Sequence, residues 1–239
     1  MEEKKGTDSL SVLIIQNFEV EGLGLHEHYL VERDIPFDTV HTYLDQPLPD
    51  PAEHDLAIVG GTPVCVRNCG EHSFLVRERT WLERRAEADL PTLGICFGSQ
   101  LLASVLGAGV SRNPTMEIGG YEVRLTAAGE SDPLLSGFSG TFPVFHWHGD
   151  TFDLPDGADL LVEGEACRNQ MFRHGNLVGV QFHVEITVPI AERWTVEYAH
   201  ELAEVGKTAE QVVEECRARE DTMSALAVRF MENLLGGIA

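Results

Sequence analysis

The sequence predicts an α/β fold, a three-layer domain whose central sheet is mostly parallel and carries an antiparallel extension. Two observations predict it. Short apolar runs alternate with helical patterns through the first half, which is the signature of a parallel sheet covered on both faces. In the second half the runs are joined by Gly, Pro and Asp turns, as in antiparallel strands. In order, residues 12–15, 37–40, 56–59 and 93–95 read as buried strands. Helices separate them, most clearly at 74–88, where Phe74, Leu75, Trp81 and Leu82 fall at helical spacing. A further helix is expected at 99–106. The second-half strands are expected at 121–125, 141–145, 160–163, 170–172 and 178–182. Two helices close the chain, 189–203 and 208–235, the second stopped by Gly236. With no internal repeat and no linker rich in Gly, Ser or Pro, residues 10–239 read as one domain behind a flexible segment, 1–9.

Composition narrows the function classes. The 239 residues include 17 Lys+Arg and 39 Asp+Glu, a net charge of −22, with 43% hydrophobic residues. That apolar fraction supports a real core and excludes disorder. The charge repels a phosphate backbone, so neither nucleic acid nor an anionic membrane is an expected partner. The densest basic cluster, Arg77, Arg79, Arg84 and Arg85, is interleaved with Glu78, Glu83 and Glu87 and reads as a solvated helix face. The polar N-terminus lacks a secretory pattern, and no run of about 18 apolar residues could span a bilayer. A cytoplasmic location is the expectation. Five cysteines, Cys65, Cys69, Cys96, Cys167 and Cys216, are an odd and scattered set better read as thiols than as a disulfide framework.

The most informative segment is Gly94-Ile95-Cys96-Phe97-Gly98-Ser99-Gln100. A strand enters it and a helix leaves it, with the cysteine flanked at two residues by glycines, the spacing of a nucleophile elbow. At a helix N-terminus the sulfur lies at the positive end of the dipole, which favours thiolate. A buried structural cysteine is the alternative reading. A thiol nucleophile needs a base and a group to orient it, and Gln181-Phe182-His183-Val184-Glu185 offers both where an apolar strand ends. Residues two apart on a strand share a side, so His183 and Glu185 would emerge together. Gly60-Gly61, after another buried strand, could free backbone amides for an oxyanion hole or simply make a turn; the Phe97 amide would be the second donor.

These motifs, in this order, resemble class I glutamine amidotransferases. Met116-Glu117-Ile118-Gly119 and Phe145-His146-Trp147-His148-Gly149-Asp150 resemble the stand-alone branch related to the glutaminase domain of GMP synthetase. The resemblance implies a flavodoxin-like first half and hydrolysis of the glutamine side-chain amide through a γ-glutamyl thioester, without a cofactor. By position it implies Cys96 as nucleophile, His183 as general base and acid, and Glu185 as its orienter. It further implies oxyanion amides from Gly61 and Phe97, and substrate contacts from Gln100, Trp147, Gly149 and Asp150.

Val184 stands where the family has proline, which should alter loop rigidity more than chemistry. In Gly60-Gly61-Thr62-Pro63 the proline comes one residue late, so the oxyanion loop is expected to be set differently. No nucleotide motif is complete: Glu201 replaces the first glycine of a phosphate loop ending Gly206-Lys207-Thr208, and Glu27 the third glycine after Gly22 and Gly24. Ammonia would therefore pass to a separate synthetase protein, or a γ-glutamyl peptidase would use the same triad on another small-molecule amide. Two readings of other classes remain. His146, His148 and Asp150, with His174 elsewhere, could ligate a catalytic metal, although no metal site is expected. A non-catalytic regulatory module would keep the fold alone, against which the intact Cys96, His183 and Glu185 argue. His26, His28, His41, His54, His72 and His200 are expected in loops or on polar helix faces. Trp81 and Trp194 are expected in packing.

Overall fold

The structure is a computed structural model that describes residues 10–238; the expected flexible segment 1–9 lies outside the described residues. Nine strands form one sheet: β1 (Val12–Gln16), β2 (Phe37–His41), β3 (Leu56–Val59), β4 (Thr92–Ile95), β5 (Val110–Leu125), β6 (Thr141–Phe152), β7 (Asp159–Glu163), β8 (Asn169–His174) and β9 (Leu177–Val180). Their order is β2-β1-β3-β4-β9-β8-β7-β5-β6. The first five in that order are mutually parallel, with the strand sequence of a flavodoxin-like sheet, and the remaining pairings are antiparallel.

Alternation along the central strands builds the three layers. Val12, Ile14, Ile58, Leu93 and Ile95 face one side, where they pack with α1 (Gly24–Glu32) and α8 (Glu220–Ile238). Leu13, Ile15, Ala57 and Val59 face the other, against α2 (Ser73–Glu87) and α3 (Phe97–Val105). Burying each such side chain contributes about 1.5–3 kcal/mol, which both faces of a parallel sheet require. A short α4 (Ala127–Ser131) follows β5. Then α5 (Val188–Glu197), α6 (Ala199–Val205) and α7 (Ala209–Arg217), with Tyr198 between the first two, supply Trp194, Tyr198, Leu202, Val212 and Cys216 to a third apolar cluster with Phe145 and Trp147 of β6.

Several elements differ from the sequence reading. β5 and β6 extend well beyond 121–125 and 141–145; the expected bounds are short because Pro114, Gly119, Gly120 and Gly149 interrupt the alternation from which strands are read. Pro114 sits inside a bulge between Arg112 and Glu117, where the ladder needs no donor. The two closing helices are four. Tyr198 separates α5 from α6, left-handed Gly206 ends α6, and a Thr208–Gln211 capping box starts α7. The last helix runs through Gly236 to Ile238. Nor is the basic cluster uniformly solvated. Arg85 is fully buried, donating to Thr92 Oγ1 (3.0 Å) and to the carbonyls of Pro51 and Pro91 (both 2.5 Å). Glu78 is equally buried and accepts from Asn17 Nδ2 at 3.1 Å. Among the described residues no helix is long and apolar enough to cross a membrane.

The extension also curls back. Phe145 of β6 and His183, three residues beyond β9, exchange backbone hydrogen bonds of 2.8 Å. That bridge brings the second half of β6 over the C-terminal ends of β4 and β9.

Candidate active site

Cys96 follows β4 and His183 follows β9, and these two strands are parallel neighbours, Ile95 opposite Val180. Both side chains therefore leave the sheet at its carboxyl edge, where open α/β sheets place their sites. Cys96 is held at φ 53°, ψ −111°, a left-handed conformation rare for a residue with a side chain, and its amide donates to Val180 O at 2.8 Å. The flanking glycines make this bend possible: a Cβ on Gly94 would lie 2.4 Å from Gly98 O, and one on Gly98 2.2 Å from Val59 O. The elbow read from the sequence is thus present in the fold.

Phe182 falls outside β9, so strand alternation does not align His183 with Glu185; direct bonding does. His183 Nδ1 and Glu185 Oε1 are 2.5 Å apart, and both side chains are buried. His183 Nε2 faces Cys96 with no aligned hydrogen-bond partner among the described residues. Burial alone disfavours the imidazolium, but the Glu185 carboxylate and contacts with Cys96 overcome it, placing His183 well above the ordinary histidine range. Burial likewise opposes the Glu185 carboxylate, and the imidazole beside it prevails, holding the carboxyl below its usual value.

Val184 alters this loop in a specific way: its N–H donates to Glu185 Oε2 at 3.0 Å, a bond proline could not make. On its other side Glu185 meets α1, where His26 Nε2 lies 3.9 Å from Oε2 and Leu25 N donates to Glu185 O at 3.0 Å. His26 is buried rather than on a polar face, and its burial lowers its pKa. Gly24, at φ 48°, permits this approach, since a Cβ there would lie 2.3 Å from Glu185 O.

A cleft open to solvent adjoins the cysteine. Gly61 stands beside Cys96, and Phe97, the next residue, begins α3 with its ring in the core. Gln100 lines the cleft but its amide nitrogen donates inward, to Asp150 O (3.2 Å) and Gln181 Oε1 (2.9 Å). Trp147 also lines it; Nε1 donates to Glu201 Oε2 at 2.6 Å. Gly149 approaches Arg112 closely, and a Cβ there would lie 2.3 Å from its guanidinium. The Asp150 carboxylate pairs with Arg67 at 3.0 Å. These four residues therefore line the cleft beside Cys96, with Asp150 already partnered, whereas His183 and Glu185 are buried outside its lining.

The Asp150 carboxylate, paired with Arg67, does not join the histidines with which the sequence grouped it, although its carbonyl lies 2.9 Å from His148 Nδ1. His146 and His148 instead meet Glu117, brought from β5 by the bulge. Burial, and the neighbouring His148, push the His146 pKa well below its ordinary value.

Sequence reasoning missed Glu21, a buried carboxylate over Gly61 that accepts from Tyr198 Oη at 2.6 Å. Burial raises its pKa, with the Tyr198 bond opposing. Trp194, expected in packing, does pack, with its ring 5.1 Å from His183. No local motif marks these contacts, because each joins residues distant in the chain.

A family model described as glutamine amidotransferase class-I matches residues 24–192. The glutamine amidotransferase-like protein YfeJ of Salmonella typhimurium is 34% identical over 227 residues, 90% of this chain and 92% of its own. One subunit of the glutamine-hydrolyzing GMP synthase of Archaeoglobus fulgidus is 28% identical over 182 residues, covering 74% of this chain and 90% of its own. A crystal structure of a glutamine amidotransferase from Thermotoga maritima superposes with a TM-score of 0.87 at 33% identity, covering 95% of this chain and 98% of that one. Agreement over this length, in sequence and in fold, establishes that the chain belongs to the class-I glutamine amidotransferase family.

Proposed function

We propose that the protein is a cysteine-dependent glutaminase that converts glutamine to glutamate and ammonia. The observation that carries this reading is the pairing of Cys96, on a left-handed elbow, with His183 and its 2.5 Å Glu185 partner at the ends of adjacent parallel strands. The Cys96 thiolate attacks the side-chain amide carbon, and the Gly61 and Phe97 amides receive the oxyanion. Imidazolium at His183 protonates the leaving nitrogen as the C–N bond breaks, releasing ammonia and leaving a γ-glutamyl thioester. Water, deprotonated by His183, then displaces the sulfur and yields glutamate.

Glutamine's zwitterionic end needs an anion for its ammonium and a cation for its carboxylate. Glu21, Glu201 and Arg112 all line the cleft, and we assign them to these contacts beside Gln100, Trp147, Gly149 and Asp150. The ammonia acceptor would be a separate synthetase, by analogy with the relatives that are subunits of GMP synthase. Five free thiols suit a reducing, cytoplasmic setting.

The test is ammonia release from glutamine beside hydrolysis of γ-glutamyl peptides, with wild type and Cys96→Ala. Glutamine turnover by wild type, reduced at least about 10³-fold in an otherwise folded Cys96→Ala, supports the reading. Turnover of peptides but not glutamine would favour a γ-glutamyl peptidase, and activity retained in Cys96→Ala would reject both.

A further inference from the structure

Beside the cleft, three ligating side chains are buried together, and three of their four imidazole nitrogens lack a hydrogen-bond partner among the described residues. Glu117, His146 and His148 are 2%, 1% and 5% exposed, and one ligand atom from each lies within 4.8 Å of the others. Their convergence has a structural origin. His146 and His148 alternate along β6 and so share a face, and the bulge between Arg112 and Glu117 sets Glu117 opposite His148.

Their hydrogen bonding is incomplete in an informative way. His148 Nδ1 lies 2.9 Å from Asp150 O, so it carries a proton and donates it. His148 Nε2 lies 3.1 Å from Glu117 Oε2 yet is not aligned for a hydrogen bond. Neither ring nitrogen of His146 has a hydrogen-bond partner among the described residues, although the ring is shut from water. Leaving buried polar atoms unsatisfied is costly, and a group that accepts their lone pairs would relieve it.

We propose that Glu117, His146 and His148 form a binding site for one divalent transition-metal ion, with zinc as its probe. Two imidazoles and one carboxylate are a suitable donor set for such an ion. Ligand atoms bound to a tetrahedral zinc at about 2.0–2.1 Å stand roughly 3.3 Å apart, close to the observed Nε2–Oε2 separation. Outer contacts support the ligands as well. Asp150 O fixes the His148 tautomer, and Gln170 Nε2 donates to Glu117 Oε2 at 3.3 Å. An ion here would tie β5 to β6 behind the segment that carries Trp147, Gly149 and Asp150 into the cleft. It would stiffen that wall, with no part in the sulfur chemistry.

The experiment uses the chelator-stripped Cys96→Ala chain, which removes the nucleophile as a competing ligand, titrated with Zn²⁺ by calorimetry and with Co²⁺ by absorption. One equivalent should bind, with ligand-field bands but no thiolate-to-cobalt charge-transfer band. In the same background, His146→Asn and Glu117→Gln should each weaken binding at least tenfold and abolish the zinc-dependent rise in Tm. Glu117→Gln keeps the side chain's volume, so if His146→Asn fails to fold, this variant decides alone. Absence of saturable binding, binding unchanged in a folded variant, or a thiolate charge-transfer band would overturn the proposal.

Discussion

At the scale of single residues, the site depends on how Glu185 is held. It receives His183 Nδ1 at 2.5 Å and the Val184 N–H at 3.0 Å, with His26 behind it. Glu185 thereby counters the burial that would otherwise keep His183 neutral. Glu185→Gln should lower kcat by about 10³-fold or more, because the imidazole loses both its orientation and the charge that stabilises its protonated form. The sign of the pH effect follows. His183 sits above its ordinary value in the wild type, so activity needing the imidazolium persists above neutrality and fails on the alkaline side. Removing the carboxylate leaves the opposing desolvation, and the alkaline limb of kcat/KM should move to lower pH. A limb that stayed in place would exclude His183 as the acid. Val184→Pro removes a single donor and should reduce kcat roughly fivefold, about 1 kcal/mol, with little change in KM. Steady-state kinetics with glutamine checks both.

At the scale of elements, the first-half strands and the elbow were legible because each rests on local signals: apolar runs, flanking glycines and a strand-to-helix change around Cys96. What escaped was written in contacts between elements. The long strands β5 and β6 were hidden by Pro114, Gly119, Gly120 and Gly149, whose positions make sense only against their partner strands. The basic face of α2 failed for a related reason, since Arg85 and Glu78 turn inward toward loops that no periodicity reveals. Burial pushes the Glu78 carboxyl up to about 8, against the weaker opposing effect of its Asn17 hydrogen bond. The unfolded chain ionises Glu78 near 4.5 while the folded chain resists until about 8, so stability is lost across that interval as pH rises. Glu78→Gln should therefore leave Tm nearly unchanged at pH 5 and raise it relative to wild type at pH 8. Thermal unfolding at the two pH values measures this, and an equal shift at both would contradict it.

At the scale of the whole molecule, the candidate site is assembled from every part of the chain. Glu21, Gly61, Cys96, the 147–150 segment, His183 to Glu185 and Tyr198 meet only because β4 and β9 are adjacent and β6 bridges back to His183. The sequence carried the candidate residues Cys96, His183 and Glu185 within motifs, whereas the Glu21–Tyr198 pair and the Glu117–His146–His148 cluster required the tertiary structure. In the proposed function, this architecture serves one sulfur atom that forms a covalent bond to the substrate. Rapid acid quench of the protein turning over glutamine, followed by mass spectrometry of its peptides, looks for that bond directly. A γ-glutamyl mass increment on the peptide containing Cys96, formed and lost at rates compatible with turnover and missing from Cys96→Ala, is the result expected. Glutamine hydrolysis with the wild-type label on another residue, or continuing undiminished in Cys96→Ala, would contradict the account.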